Sequence, residues 1–254
     1  MILLYNGEVR EIGHSGFVEC RIIRELHISM QLAEQGTMLY PVIIEYVTQN
    51  IDRFDQIPEG RKALLESLAE YVKGRIKNSD TVRLVFICTH NSRRSHLAQI
   101  WAHTAATYYG IPRIETYSGG TEATAFNPRA VAALERAGFS ISTSEQSANP
   151  IYLVRYNNEM APTEAFSKQY SQEPNPKDGF CAVMTCSEAD QGCPVVLGAD
   201  QRFAIPYVDP KESDGTDHET KTYDERCRQI CSEMFYVFSL VNADTVENDN
   251  RRPT

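Results

Sequence analysis

Cys88 and Arg94 stand six positions apart in the segment Cys88-Thr89-His90-Asn91-Ser92-Arg93-Arg94-Ser95. A cysteine attacks as its thiolate, and a loop that turns successive backbone N–H groups inward ahead of a helix favours that charge. The same loop makes a socket for a tetrahedral oxyanion. A guanidinium at Arg94 can hold two oxygens of the anion and follow them into a transition state. Ser95, and with it Ser92, is placed to hydrogen-bond the thiolate, while Thr89, His90, Asn91 and Arg93 complete the oxyanion-binding loop. The competing reading makes Cys88 a buried strand-end thiol and Arg94 a surface ion-pair partner; the elements around the loop decide between the two.

Those elements are legible in the sequence. Val82-Arg83-Leu84-Val85-Phe86-Ile87-Cys88 is β-branched and nearly continuously apolar, as a strand buried on both faces of a parallel sheet must be. Beyond the loop, Leu97, Ile100, Trp101 and Thr104 recur at helical spacing up to Gly110, and Ile114 to Ser118 reads as the next strand. This is a βαβ unit. Asn127-Pro128 opens a helix with Val131 and Leu134 facing inward, and Gly138 ends it. Further strands are expected at 151–156, 182–186 and 203–208, and a closing helix at 222–241. The expected class is α/β, a central parallel sheet flanked by helices on both faces, over residues 81–241. Two amphipathic helices form an extension over 38–80. Residues 1–37 show no sustained period and are read as a disordered extension or the product of an overcalled start ahead of Met30 or Met38; the polar tail 242–254 is expected to fray.

Two further thiols frame a polar segment, Met184-Thr185-Cys186-Ser187-Glu188-Ala189-Asp190-Gln191-Gly192-Cys193-Pro194. Their plain reading is one buried strand thiol and one loop thiol. A zinc site is disfavoured, because the spacing is not Cys-x-x-Cys and only His218 follows nearby, so no metal is expected. Cys181 reads as a packing thiol, and Cys227 and Cys231, four apart on the closing helix, as neighbours in the core.

Composition narrows the setting. With 25 Lys+Arg against 34 Asp+Glu the formal net charge is −9, which repels a phosphate backbone, so nucleic acid is not an expected partner. No run approaches the roughly 18 apolar residues of a membrane span, and no export signal precedes the first helix. The expectation is a cytoplasmic protein whose seven cysteines, an odd number, form no disulfide framework.

Strand, C-x(5)-R-S and helix together resemble the low-molecular-weight protein tyrosine phosphatase superfamily. That family's loop usually reads Cys-x-Gly-Asn-x-Cys-Arg-Ser, so Cys88, Asn91, Arg94 and Ser95 match in place, while His90 and Arg93 depart from its glycine and second cysteine. The resemblance implies a general acid in an Asp-Pro pair, here Asp209-Pro210. Cys186 and Cys193 resemble the relay pair of thioredoxin-coupled arsenate reductases. Gln99 stands where some of those proteins carry a glutamate beside a monovalent cation, so a potassium site is not expected. The implied function is reduction of arsenate by Cys88, with a thiol relay regenerated by thioredoxin as external reductant and no bound cofactor. Its rival is hydrolysis of a phosphate ester, such as phosphotyrosine, through a phosphocysteine. A third reading is a non-catalytic module that binds an anion or a partner.

Overall fold

The computed structural model describes residues 2–5, 8–11, 39–143, 146–192 and 195–249. Two units are distinct, Met1–Met38 and Leu39–Thr254. The first contains an antiparallel hairpin of β1 (Ile2–Tyr5) and β2 (Glu8–Glu11). A hairpin was not foreseen there; whether the remainder of 1–37 is disordered, or the start lies at Met30 or Met38, falls outside the described residues.

The second unit is built on a four-stranded parallel sheet. Its centre is β3 (Val82–Cys88), which pairs on one side with β4 (Ile114–Gly120) and on the other with β8 (Phe180–Met184), and β8 pairs outward with β9 (Ala199–Ala204). Every residue of β3 but Arg83 is buried, the outcome its continuous apolar run dictates. On one face Val85 and Ile87 pack with Phe180, Ala182 and Met184 of β8 and with Ala189 of a short helix, α5 (Ser187–Gly192).

The connections carry the remaining helices. From the extension come α1 (Pro41–Ile51) and α2 (Glu59–Lys77); α3 (Arg94–Tyr108) follows the loop, α4 (Pro128–Arg136) follows β4, and α6 (Glu219–Asp249) closes the chain. Asn127 caps α4, its side chain accepting from the Arg129 N–H at 2.9 Å, so the Asn-Pro signal held. The extension packs on the sheet domain: Tyr46 of α1 stacks on Trp101 of α3 at 5.4 Å, and Tyr71 of α2 meets Phe203 of β9 edge-on at 6.1 Å. Within the sheet domain, Trp101 Nε1 donates to Cys227 of α6 at 3.3 Å. Cys227 and Cys231 are fully buried core thiols, as is Cys181 of β8.

Three strands differ from the sequence reading; the one expected at 182–186 lies two residues earlier, at Phe180–Met184. The one expected at 203–208 lies at Ala199–Ala204, because Gly198 turns the chain with φ 84° where a side chain would overlap the Lys177 carbonyl, and because an edge strand tolerates the exposed Asp200 and Gln201 that disguised it. The one expected at 151–156 is β6 (Tyr152–Arg155), but it belongs to a separate antiparallel sheet between β5 (Ser140–Ser142) and β7 (Thr163–Ala165). No helix among the described residues is long and apolar enough to cross a membrane.

Candidate active site

The loop between β3 and α3 turns its carbonyls outward. Those of Cys88, Thr89, His90 and Ser92 accept bonds from Thr121 N–H (3.1 Å), Glu122 N–H (2.8 Å), the Thr124 and Ser167 hydroxyls (3.1 and 3.0 Å) and Asn127 N–H (2.8 Å). No hydrogen bond among the described residues uses the backbone N–H groups of 89–95. Backbone donors left without partners at the N-terminus of α3 are suited to a tetrahedral anion.

Close approach of backbone to backbone holds the loop. A Cβ on Gly120 would overlap the Glu122 carbonyl and lie 2.7 Å from both the Asn91 nitrogen and the Thr89 oxygen, so only glycine fits beneath the loop. Asn91 adopts φ 43°, a left-handed conformation that asparagine tolerates better than most residues. Its side chain is used at both ends, Nδ2 donating to Ser95 Oγ at 2.9 Å and Oδ1 accepting from Lys168 N–H at 2.9 Å. Ser95 Oγ in turn sits 3.1 Å from Cys88 Sγ. Ser95 is thus the hydroxyl on the thiol, while Ser92 serves through its carbonyl.

Arg94 is buried, and only part of its guanidinium is engaged within the protein, which leaves donors for an anion. Nη1 donates to the Tyr207 carbonyl at 2.9 Å and Nη2 to Asp209 Oδ2 at 2.7 Å, with Glu188 at 3.8 Å. Asp209 also accepts from Lys211 N–H at 3.1 Å, capping the 3-10 turn Pro210–Ser213. Arg93 lies on the far side of the same acid: its Nε is 3.9 Å from Asp209 Oδ1 and donates to the Tyr223 hydroxyl at 2.8 Å, and its Nη2 lies 3.6 Å from Asp214. The half-exposed His90 ring faces Glu122 at 3.7 Å. The two positions that depart from the usual loop therefore place their side chains against neighbouring acids and a phenol.

Cys186 follows the end of β8, directly ahead of α5. Its sulfur lies 3.4 Å from the Thr89 hydroxyl and accepts from Ala189 N–H at 3.4 Å. Burial raises its pKa above the ordinary thiol value, against the opposing pull of Thr89, Ala189 and Arg94. Cys193 lies outside the described residues. The site thus gathers Cys88 and Arg94 of the loop, Cys186 and Asp209 from three separate stretches of sequence.

Three partners escaped the sequence reading. Ser167 and Lys168 come from the stretch after β7 and brace the loop from behind, and they act on it through a hydroxyl and a backbone N–H that carry no spacing signal. Tyr207 acts through its carbonyl. Gln99 Nε2 donates to the Thr116 carbonyl at 3.2 Å. Among the described residues no three His, Cys, Asp or Glu side chains gather to hold a metal.

Residues 83–156 match the family model of low molecular weight phosphotyrosine protein phosphatase. The arsenate reductase of Bacillus licheniformis is 28% identical over 159 residues, which are 61% of this chain and 94% of that protein. The arsenate reductase of Halalkalibacterium halodurans is 29% identical over 156 residues, again 61% and 94%. Among solved structures, the low molecular weight protein tyrosine phosphatase from T. tengcongensis aligns with TM-score 0.44 at 17% identity, over 62% of this chain and 98% of that one. The arsenate reductase from Archaeoglobus fulgidus aligns with TM-score 0.38 at 20% identity, over 61% and 98%. The chain is thus similar to the low molecular weight phosphotyrosine protein phosphatase family over residues 83–156 and to arsenate reductases over most of their length.

Proposed function

We propose that this enzyme reduces arsenate to arsenite, with Cys88 as nucleophile, Cys186 and Cys193 as the relay, and thioredoxin as the external dithiol. The observation that carries the reading is the Cys186 thiol at 3.4 Å from the Thr89 hydroxyl, a second sulfur at the rim of the oxyanion loop. A hydrolase has no use for it. The likeness to arsenate reductases over most of their length supports the same choice.

In this reading the Cys88 thiolate, held by Ser95, attacks arsenic, and Asp209 protonates the oxygen that leaves as water. Arg94 holds two of the remaining oxygens alongside the free N–H groups of the loop. Cys186 then attacks Cys88 Sγ as thiolate: the sulfur–arsenic bond breaks, its electron pair stays on arsenic, arsenic falls from +5 to +3 and arsenite departs. The two sulfurs are left as a disulfide. Cys193 attacks Cys186 and frees Cys88, and a reduced dithiol on thioredoxin returns the two electrons.

Hydrolysis of an aryl phosphate through the same Cys88 is the second reading, favoured by the match of residues 83–156 to a phosphatase family. There water would cleave the phosphocysteine and no other thiol would take part. The separating experiment follows NADPH consumption with arsenate, thioredoxin and its reductase beside aryl phosphate hydrolysis, in wild type and in Cys88→Ser, Cys186→Ser and Cys193→Ser. Arsenate turnover that needs all three thiols, with hydrolysis that needs Cys88 alone, supports the reductase. Fast hydrolysis with no arsenate turnover overturns it.

A further inference from the structure

Tyr207 meets Arg94 through its backbone carbonyl, at 2.9 Å, two residues ahead of the Asp209 carboxylate that takes the other Arg94 nitrogen at 2.7 Å. What steadies Tyr207 comes from the extension. The guanidinium of Arg61, on α2, lies over the Tyr207 ring at 4.7 Å from its centroid. Arg61 Nε and Nη2 both donate to Glu233 Oε2, at 3.0 and 2.7 Å. The other oxygen of Glu233 accepts from Gln229 Nε2 at 2.9 Å, and Gln229 accepts from Arg226.

The pair is enclosed, with side-chain exposures of 14% for Arg61 and 4% for Glu233. A buried ion pair is weak support for stability, because removing two charges from water offsets most of their attraction. Its placement is informative. Tyr207 is itself buried, and the groups that act on its hydroxyl are Glu233 and Arg61. The ring is thus held by the packing around it and by the same ion pair whose cation lies above it.

We propose that Arg61 is a positioning residue for Arg94: locked by Glu233 over the Tyr207 ring, it fixes the 207–209 segment whose carbonyl and carboxylate aim the Arg94 guanidinium. The helical extension upstream of β3 thereby completes the oxyanion site. The inference rests on the oxyanion role given to Arg94 and holds for arsenate and phosphate ester alike.

Calorimetric titration of the full chain with inorganic phosphate, beside steady-state aryl phosphate hydrolysis, tests it. Arg61→Gln is expected to weaken phosphate binding on the order of tenfold and to lower kcat, since a small misalignment of a catalytic group is costly. Arg61→Lys, which keeps a cation over the ring, should recover part of both. Lys62→Gln, which breaks only the exposed pair with Glu59 on the same helix, should change neither. An Arg61→Gln protein that melts earlier but binds phosphate as wild type does would make the pair merely structural and overturn the proposal. Should Arg61→Gln not fold, Glu233→Gln carries the same comparison. A wild-type chain that binds phosphate but turns over neither ester nor arsenate would defeat the catalytic reading alone, and the affinities would still decide for Arg61. If wild type binds no phosphate, this inference falls with the oxyanion site.

Discussion

The Thr89 hydroxyl lies 3.4 Å from the Cys186 sulfur, which joins the oxyanion loop to a thiol 98 residues downstream of Cys88 (186 − 88). This neighbour separates two chemistries that share every other part of the site. Its environment also sets how they respond to pH.

Burial raises the Cys186 pKa, so the thiolate that the proposed relay would use against the Cys88–arsenic adduct is scarce at neutral pH and grows as pH rises. Arsenite release from a preformed adduct should therefore accelerate up to about tenfold per pH unit between neutrality and the raised pKa. Rapid-quench measurement of arsenite on one turnover checks this. A profile flat across that range would mean Cys186 is not the attacking thiol. Aryl phosphate hydrolysis, which does not use Cys186, should lack this limb.

Asn91 combines a left-handed backbone with two side-chain hydrogen bonds. Asn91→Ala loses the bonds and strains the backbone, whereas Asn91→Gly loses only the bonds. Urea denaturation should find the alanine variant less stable than the glycine variant by about 1 kcal/mol. Both should hydrolyse aryl phosphate more slowly than wild type, because Ser95 loses its donor. Equal stability of the two would contradict the strain argument.

Gly120→Ala drives a methyl group into the loop backbone. A loss of about 3 kcal/mol or more is expected, together with loss of phosphate binding, because neither wall is the end of a flexible side chain. Gly60→Ala is the control: its added Cβ meets nothing within 4 Å, on an α2 position where alanine should stabilise by about 0.5–1 kcal/mol. Thermal melts of the two variants decide.

Lys168 is buried beside the loop, with Nζ 3.4 Å from the Phe166 carbonyl and 4.5 Å over the Phe166 ring, and burial lowers its pKa to about 8. The unfolded chain holds that proton up to the ordinary lysine value near 10.4, so it binds more protons than the folded chain between the two. Stability attributable to this group is full above the unfolded pKa and is lost as pH falls through about 8. The stability of wild type relative to Lys168→Met should thus rise from pH 8 to about pH 10. A difference independent of pH over that window would show that Lys168 titrates normally.

How much of this was legible depends on the kind of signal. The run Val82–Cys88 announced itself because a central parallel strand leaves no polar position, and Asn127-Pro128 fixed the start of α4 through cap chemistry. The loop residues Cys88, Asn91, Arg94 and Ser95 stood out because their types are needed together. Strand β9 did not, since an edge strand exposes polar side chains. Ser167, Lys168 and Tyr207 support the loop largely through hydroxyl or backbone groups that residue type does not reveal. Arg61 and Tyr207 lie 146 positions apart (207 − 61), and nothing in either local segment links them.

The most direct test of the relay is a single turnover of Cys193→Ser with one equivalent of arsenate, followed by acid quench and disulfide mapping by mass spectrometry. One equivalent of arsenite and a Cys88–Cys186 disulfide are expected, the disulfide trapped because the next thiol is missing. Unreacted arsenate and free thiols at both Cys88 and Cys186, in a protein that still hydrolyses aryl phosphate, would contradict the relay.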